Sequence, residues 1–473
     1  MRRRLLVAGA LLGTALASAA PLQAQGSGVM THSSCATAMG FAGVARPCDD
    51  GSALLVQPGA MAQQRSVVGL GWTGITTGGS FTYDTTLVKI TREDYTSSVP
   101  FGYANFRITD KLAAGIGAFN PYGLLIEWPD TSAFEGRYVS YRTDLKNIYV
   151  QPTLAYQLTP WLAVGAGLDV IFASIEINQY ADLYSTPTTT PGVTFGNLGI
   201  ARNTPFARVK LTGDGTGYTF NAGAVANFSP RFSMGVRYLH EATIDYDGDA
   251  DFTQLNTGLI IPSGTPRHPL NPTANPLPLD QGVLAPLFAD TAALGDQGVK
   301  TSLTLPAQLV VGVAIHPVPS LTLMADYQWT QWSTWNEAPI DFENRAARDQ
   351  TLVLDYQDTD TYRFGAEWAA TESLRLRGGF IYNTAAQKEF SVSSLLPEAE
   401  RNYYSAGIGY RFGNGLAIDA GYQLVDQSDR RGRVRSTTPE MTDEQKRALN
   451  VGLYQADASV FNVTLSYRFG RNR

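Results

Sequence analysis

The feature that most constrains this chain is a period-two alternation of apolar and polar residues, which begins near residue 66 and recurs up to the C-terminus. Successive side chains of a β-strand point to opposite faces, so this period predicts strands rather than helices, and the predicted fold class is all-β. The segments that alternate most clearly are 148–158, 161–172, 231–238, 303–315, 321–329, 362–368, 374–382, 404–412, 416–425 and 461–469.

The two faces of these strands differ in a way that indicates a membrane. One face is apolar and often ends in Tyr, Phe or Trp, as the aromatic girdles of membrane proteins do. The other face keeps charged residues, although only 16% of the whole chain is charged. A β-sandwich would be polar outside and dry inside, whereas this pattern predicts lipid outside and a wet lumen inside. The charged lumenal positions are Arg237, Arg363, Glu367, Arg375, Arg377, Arg411, Asp419 and Arg468.

The N-terminus has the pattern of a secretory signal. Arg2–Arg4 form a positive region, Leu5–Ala20 form a short apolar stretch, and Leu22–Ala24 form a small-residue cleavage site before Gln25. Removal of three arginines takes the formal net charge from −6 to −9, which argues against a nucleic-acid partner. Beyond this segment there is no apolar run of roughly 18 residues that predicts a membrane-spanning helix.

The connections between the predicted strands are alternately short and long. Six are only a few residues long, and the seven that alternate with them are much longer. Short periplasmic turns and long outer loops are the rule for antiparallel up-and-down outer-membrane barrels. The sequence therefore predicts a transmembrane β-barrel of about fourteen strands. The long connections are near 82–96, 121–146, 179–203, 248–302, 337–350, 386–400 and 428–457.

A barrel of this size is wide enough to leave a channel unless something fills it. Residues 25–65 are rich in Gly, Ala and Ser and lack strand alternation, so we predict that they form a plug inside the lumen. The predicted organisation is a signal peptide at 1–24, a plug domain at 25–65 and the barrel at 66–473. Cys35 and Cys48 lie in the plug, and an exported chain with two such cysteines is expected to form a disulfide. Two buried free thiols are the alternative.

Chemistry-bearing motifs are missing from the sequence, so no catalytic residue, metal site or cofactor is predicted. There is no P-loop, no Gly-x-Ser-x-Gly turn and no paired Cys-x-x-Cys motif. A barrel enzyme is the rival class, with His240, Asp245 and Asp247 near the outer rim as its candidates. The acidic run Asp245–Asp251 resembles the start of a calcium loop but lacks the distal Glu, so a solvated strand end is the alternative.

Several motifs, taken in order along the chain, resemble those of the FadL/TodX family of outer-membrane transporters. Two positions depart from the family pattern: Gln57-Pro58-Gly59 replaces Asn-Pro-Ala in the plug, and Tyr238-Leu239-His240 replaces Tyr-Arg-Ser in the seventh strand. Because of the first departure, the contact between plug and wall is not determined by the resemblance. Because of the second, the chemistry of the lumen is not determined either. The matching motifs are residues 38–45, 49–53, 57–61, 120–124, 305–307, 326–329 with 332–333, 396–401 and 410–412.

The resemblance implies passive outer-membrane transport of long-chain fatty acids or aromatic hydrocarbons by a monomer, in contact with outer-membrane lipid and lipopolysaccharide. It implies that a hydrophobic ligand is held against the plug and leaves sideways where the third strand is kinked. A porin for polar solutes is the other transport hypothesis; it would lack a plug. The residues assigned to plug and gate are Gln57, Pro58, Gly59, Gly115, Gly117 and Pro121, with ordinary strand glycines as the alternative for Gly115 and Gly117.

Ligand contacts are predicted from the apolar side chains of the plug and from inward arginines. Arg375 or Arg377 would pair with the carboxylate of an acidic ligand. The alternative, which we favour, is that these arginines form structural ion pairs with Glu367, Asp326 and Asp419. The predicted apolar contacts are Met39, Phe41, Leu54, Leu55 and Val56.

Overall fold

The computed structural model describes residues 31–92, 94–188, 192–261, 276–292, 294–343 and 349–470. The predicted signal segment 1–24 and residues 25–30 lie outside these ranges. No helix within the described ranges is long and apolar enough to cross a membrane.

Fourteen antiparallel strands form the wall, and it closes because the first strand pairs with the last from Ser66–Phe469 to Tyr83–Gly452. The predicted strand number is confirmed. The wall strands are β1 Ser66–Tyr83, β2 Tyr95–Arg107, β3 Leu112–Phe119 with Gly123–Glu127, β4 Arg142–Gln157, β5 Leu162–Asp182, β6 Pro205–Ser229, β7 Phe232–Leu239 with Ala242–Gln254, β8 Gln297–Leu305 with Gln308–Val318, β9 Leu321–Thr330 with Glu337–Phe342, β10 Gln350–Val353 with Thr359–Ala369, β11 Leu374–Asn383, β12 Arg401–Arg411, β13 Leu416–Gln427 and β14 Asn450–Phe469.

The six predicted short turns all lie at the end of the barrel that holds both ends of the wall, the periplasmic end by the barrel rule. At the other end the ladders continue further than the alternation indicated. The sequence predicted a loop from 248, but β7 runs to Gln254 and pairs with Gln297–Leu305 of β8. Ladder hydrogen bonds satisfy the backbone above the membrane as well as within it, so these strands extend without an apolar face. Short strands outside the wall are Lys89–Thr91, Ile260–Ile261, Leu277–Pro278 and Arg430–Arg433.

The outer face of the wall is apolar and the inner face is polar, as the alternation predicted. Large apolar side chains are exposed around the whole circumference, while charged and amide side chains of the same strands are buried. Lipid takes the place of water around such a surface, because exposed apolar area on this scale is otherwise unfavourable. Exposed aromatic residues near the periplasmic turns include Tyr156, Trp161, Phe228, Phe232, Trp368, Tyr410, Phe412 and Tyr467.

Residues 31–65, here called the lumenal segment, lie inside the ring of strands. The segment consists of α1 (Ser34–Ala38), α2 (Ala53–Val56) and a 3₁₀ helix (Pro58–Gln63), and nearly all of its residues are buried. These helices are too short to be stable alone, so tertiary contacts hold them. The remaining helices lie in the outer loops: Glu135–Tyr138, Leu183–Ser185, Phe195–Leu198, Asp280–Leu284, Ala285–Phe288, Trp332–Thr334 and α3 (Asp443–Arg447).

Candidate functional site

The lumenal segment is fastened to strands on several sides of the barrel. Its hydrogen bonds reach β4, β6, β7, β9 and β14, so the segment spans the lumen rather than lining one wall. The bonds are Ser34 N to Thr464 Oγ1 (3.0 Å), Gly43 N and Val44 N to Asp326 Oδ2 (2.8 and 3.0 Å), Gln57 Nε2 to Ala224 O and Val236 O (3.1 Å each), and Gln151 Nε2 to Leu54 O (2.9 Å).

Gln57 and Gly59 form the contact between the lumenal segment and the wall, which the sequence did not determine. The buried Gln57 amide donates to two wall carbonyls and to Val44 O inside the segment. A Cβ on Gly59 would lie 2.8 Å from Ala163 O, so only glycine permits this approach of segment and wall. The longer side chain of Gln therefore makes direct wall contacts here, with Pro58 at the start of the 3₁₀ helix.

The lumenal segment is also cross-linked within itself at the periplasmic end. Cys35 and Cys48 are joined as a disulfide. The neighbouring Asp49 lies 3.6 Å from Arg411 and 3.5 Å from Arg468, which extend from β12 and β14. These partly exposed ion pairs are each worth little, but together they add two further wall contacts.

Asp326 is the charged wall residue that holds the centre of the segment. Because its carboxylate accepts two backbone N–H groups, Asp326→Ala leaves both donors buried without an acceptor, at a cost of about 1–3 kcal/mol. We expect a roughly five- to hundredfold rise in the frequency of transient channel openings in planar bilayers. Asp360→Ala is the control, since Asp360 bonds to Tyr327 on the outer face. Equal opening frequencies in the two variants would show that Asp326 does not hold the segment.

A cavity of about 70 Å³ lies on the outer side of the lumenal segment. The predicted contacts Phe41, Leu55 and Val56 line it, together with Pro121. The other two predicted contacts, Met39 and Leu54, do not line this cavity. Met39 lines a separate recess on the periplasmic side of the segment, here called the periplasmic recess. Leu54 packs toward β3, 2.9 Å from where a Cβ on Gly117 would lie.

Neither arginine predicted for ligand contact reaches this cavity. Arg375 lines the periplasmic recess and donates to Thr371 O, 2.6 Å away. Arg377 is buried in an ion pair with Glu367 at 2.7 Å and Asp419 at 2.6 Å. For Arg377 the structural ion pair, the favoured alternative, is therefore observed. Both residues face inward, but they lie at the periplasmic level of the barrel.

Different charged residues line the cavity. Arg237 donates to the amide oxygens of Asn221 and Gln308, so its hydrogen-bond partners are neutral. Arg401 lies 3.7 Å from Glu398, whose carboxylate accepts two backbone N–H groups; burial raises the pKa of Glu398. Arg363 and Asp326 complete the set. The family-like motif at 396–401 was the signal that indicated Glu398 and Arg401, although no role was assigned to them.

A second cavity, of about 80 Å³, lies toward the outer loops and is lined almost entirely by apolar groups. Trp332 packs against Tyr122, Trp335 and Tyr356, with ring centroids 5.9, 5.0 and 6.3 Å away, and these rings separate the two cavities. The only side-chain oxygens in its lining are those of threonine and tyrosine. The lining includes Leu124, Leu145, Ile175, Ile177, Leu211, Tyr246, Val299, Leu303, Trp335, Ile340, Leu352, Leu354, Leu395 and Leu396.

The third strand is interrupted beside both cavities. Phe119 pairs with Tyr149 and Gly123 pairs with Lys146, so three residues of β3, Asn120–Tyr122, lie opposite two of β4. One extra residue in β3 is a bulge, and a bulge bends the strand that carries it.

The bend separates β3 from β2. The β2–β3 ladder runs from Arg107–Ala113 to Gly102–Ala118 and stops there. Beyond it, residues 95–101 pair with β1, and the described residues include no ladder between them and 123–127. The wall therefore has an unpaired gap at this level, next to Pro121 and Leu124.

The two predicted kink glycines do not cause this gap. Gly115 and Gly117 both lie within regular ladders to β2 and β4. A Cβ on Gly115 would lie 2.6 Å from Met61, so the glycines instead allow the lumenal segment to approach the wall. The interruption comes after them, at the bulge of Asn120–Tyr122, where one extra residue breaks the ladder to β4.

The residues considered for other chemistry lie outside the lumen. His240 is exposed, bonds to the Tyr238 hydroxyl at 2.9 Å and stacks on Phe220. Asp245 and Asp247 are exposed along β7, and Asp247 pairs with Lys300 at 3.0 Å. In the part of the chain that the structure describes, no group of three or more His, Cys, Asp or Glu residues could hold a metal ion.

Sequence comparisons agree with this architecture. The family described as outer membrane protein transport protein (OMPP1/FadL/TodX) matches residues 13–469. Outer membrane protein P1 of Haemophilus influenzae is 24% identical over 392 residues, covering 78% of this chain and 75% of that protein. A long-chain fatty acid transport protein of Escherichia coli O6:H1 is 26% identical over 324 residues, covering 66% of each chain.

Solved structures share the fold. A FadL homologue of Pseudomonas aeruginosa superimposes with a TM-score of 0.77 at 20% identity, covering 94% of this chain and all of that one. The toluene transporter TbuX of Ralstonia pickettii gives a TM-score of 0.62 at 17% identity, covering 92% of this chain and 97% of the other. This chain is a fourteen-stranded outer-membrane barrel and belongs to the OMPP1/FadL/TodX family of transport proteins.

Proposed function

We propose that this chain carries hydrophobic small molecules, of the long-chain fatty acid or aromatic hydrocarbon type, across the lipopolysaccharide layer. The proposal rests on the apolar outer cavity, because an apolar lining would not bind the polar solutes of a porin. An apolar ligand gains roughly 0.8 kcal/mol for each CH₂ that it buries there. Relatives named as fatty acid and toluene transporters support the same class of ligand.

The lumenal segment is the proposed plug. Both cavities are smaller than the ~150 Å³ apolar cavity that admits benzene in a small protein. Ligand entry therefore requires the aromatic rings or the lumenal segment to move. Short helices held to the wall by a few hydrogen bonds can move in this way, whereas the paired strands stay fixed.

The gap beside β3 is the proposed exit. It lies at the level of both cavities, since Pro121 and Tyr122 line the inner one and Leu124 lines the outer one. A hydrophobic ligand that leaves through it enters lipid instead of water and keeps its favourable burial. Transport is then passive, without cofactor or catalysis, and we expect the barrel to act as a monomer surrounded by outer-membrane lipid and lipopolysaccharide.

The apolar cavity is tested by placing a charge in it. Leu396 is buried in its lining, in a loop rather than a wall strand. Leu396→Asp is expected to weaken binding of dodecanoate and of toluene by tenfold or more, because a buried carboxylate without a partner is strongly unfavourable. Leu396→Met, which conserves the volume, is expected to change affinity by less than about threefold.

Binding is measured on purified protein in detergent by displacement of a fluorescent fatty acid, with heat-dependent gel migration as the check that the barrel is folded. A wild-type protein that binds neither ligand would overturn the proposed function. Equal affinities in wild type and Leu396→Asp would place the ligand elsewhere.

A further inference from the structure

His32 lies where the lumenal segment, the inner cavity and the interrupted strand meet. Its side chain is fully buried, lines the inner cavity and packs edge-on against Phe101 and Phe119, both at 6.2 Å between ring centroids. Its Nε2 accepts the backbone N–H of Asn120, 3.0 Å away, which is the first residue of the interruption in β3. Its backbone oxygen accepts the Tyr103 hydroxyl at 2.8 Å.

These contacts fix the tautomer. A ring nitrogen that accepts a hydrogen bond carries no proton, so the proton of a neutral imidazole is on Nδ1. Burial lowers the pKa of His32 to about 3, so the ring is neutral at physiological pH. The Nδ1–H group has no hydrogen-bond partner among the described residues.

A buried N–H without a protein acceptor is unfavourable and rare. Because His32 lines the inner cavity, an acceptor bound in that cavity would satisfy its Nδ1–H group. Two of the ring's neighbours, Phe101 and Phe119, offer no acceptor, and the acceptors that line the same cavity, Asp326 and Glu398 among them, do not reach Nδ1. Arg237 and Arg401 line the same cavity and favour an acceptor that carries negative charge.

We propose that the Nδ1–H of His32 donates a hydrogen bond to the oxygen of an otherwise apolar ligand, and that His32 thereby selects ligands with a terminal acceptor, such as a carboxylate, over pure hydrocarbons. This inference rests on the proposed function and adds a specificity-determining residue to it. On the opposite side of the same ring, Nε2 accepts the backbone N–H of Asn120. A negatively charged acceptor at Nδ1 makes Nε2 a stronger acceptor, so ligand binding strengthens the contact between segment and β3.

The test compares two ligands that differ in the acceptor, dodecanoate and 1-dodecene, delivered in the same detergent micelles at matched mole fraction. In His32→Phe, dodecanoate is expected to bind about tenfold or more weakly, while 1-dodecene affinity changes by less than about twofold. His32→Gln supplies both an acceptor and a donor, so it is expected to restore part of the dodecanoate affinity.

His316→Phe is the matched control, because His316 lines the periplasmic recess and faces no part of the inner cavity. The Tyr103 contact uses the backbone of residue 32 and is available to every variant. Equal loss for both ligands in His32→Phe would mean a packing role, and no loss for either would also overturn the proposal. If the wild type binds neither ligand, the proposed function fails first; if it binds both and His32→Phe matches it, only the role of His32 fails.

Discussion

Deletion of Pro121 alone is expected to reduce uptake of hydrophobic compounds to the level of cells without the protein, while ligand binding by the purified protein persists. The deletion removes the one extra residue of β3, so that two residues then lie opposite Ile148 and Asn147. The ladder to β4 becomes continuous, and residues 123–127 keep their present facing. The straightened strand can then pair with the free edge of β2 at 95–101, which closes the gap.

Pro121→Ala is the matched control, since it keeps the extra residue and therefore the bulge. We expect it to retain most of the uptake. Radiolabelled dodecanoate accumulation in whole cells measures uptake, and displacement of a fluorescent fatty acid measures binding. If the deletion variant carries ligand at the wild-type rate, the ligand does not leave through the gap, and release toward the periplasm past the lumenal segment becomes the simpler explanation.

Removal of residues 25–65 is expected to convert a silent protein into an open channel. Fourteen strands enclose more space than their own side chains fill, and the lumenal segment occupies that space. The wall itself has continuous ladders from β1 round to β14 apart from the gap at β3, so it is expected to fold without the segment. Single-channel recording in planar bilayers measures the effect, with heat-dependent gel migration as the check that the truncated barrel is closed.

The double variant Cys35→Ala, Cys48→Ala is the control for this truncation, since it removes the cross-link but keeps the hydrogen bonds of the segment to the wall. It is expected to stay mostly closed. Steady ohmic channels from the intact protein would contradict the plug and favour a porin for polar solutes. A folded but silent truncation would mean that the outer loops, rather than the lumenal segment, form the barrier.

The wall could be predicted because its determinants are local. Each strand must place apolar side chains in lipid and polar ones in the lumen, so the alternation predicts both the strands and their facing. The alternating short and long connections predicted their number, and the structure confirms fourteen. The pairing of Cys35 with Cys48 could be predicted for the same reason, because both residues lie in one short segment.

The level of a residue along the barrel axis was not visible in the sequence. Arg375 and Arg377 face inward as predicted, yet they lie on the periplasmic side, while Arg237 and Arg401 reach the inner cavity. Alternation fixes which way a side chain points but not its height, which depends on the stagger between neighbouring strands and on where the lumenal segment rests.

The site itself depends on contacts between distant parts of the chain. Residue types near 32, 121 and 398 gave no local sign that they would surround one cavity, because only closure of the barrel brings β3, the outer loops and the lumenal segment together. The glycines of β3 show the same limit. Their sequence predicted a kinked strand, with ordinary strand glycines as the alternative. The close approach of Met61 and Leu54 explains Gly115 and Gly117, and a single bulged residue opens the wall. The alternation of apolar and polar residues by itself determined that the chain forms a barrel in a membrane. Packing across the lumen, which only the tertiary structure shows, decided where a ligand can bind and leave.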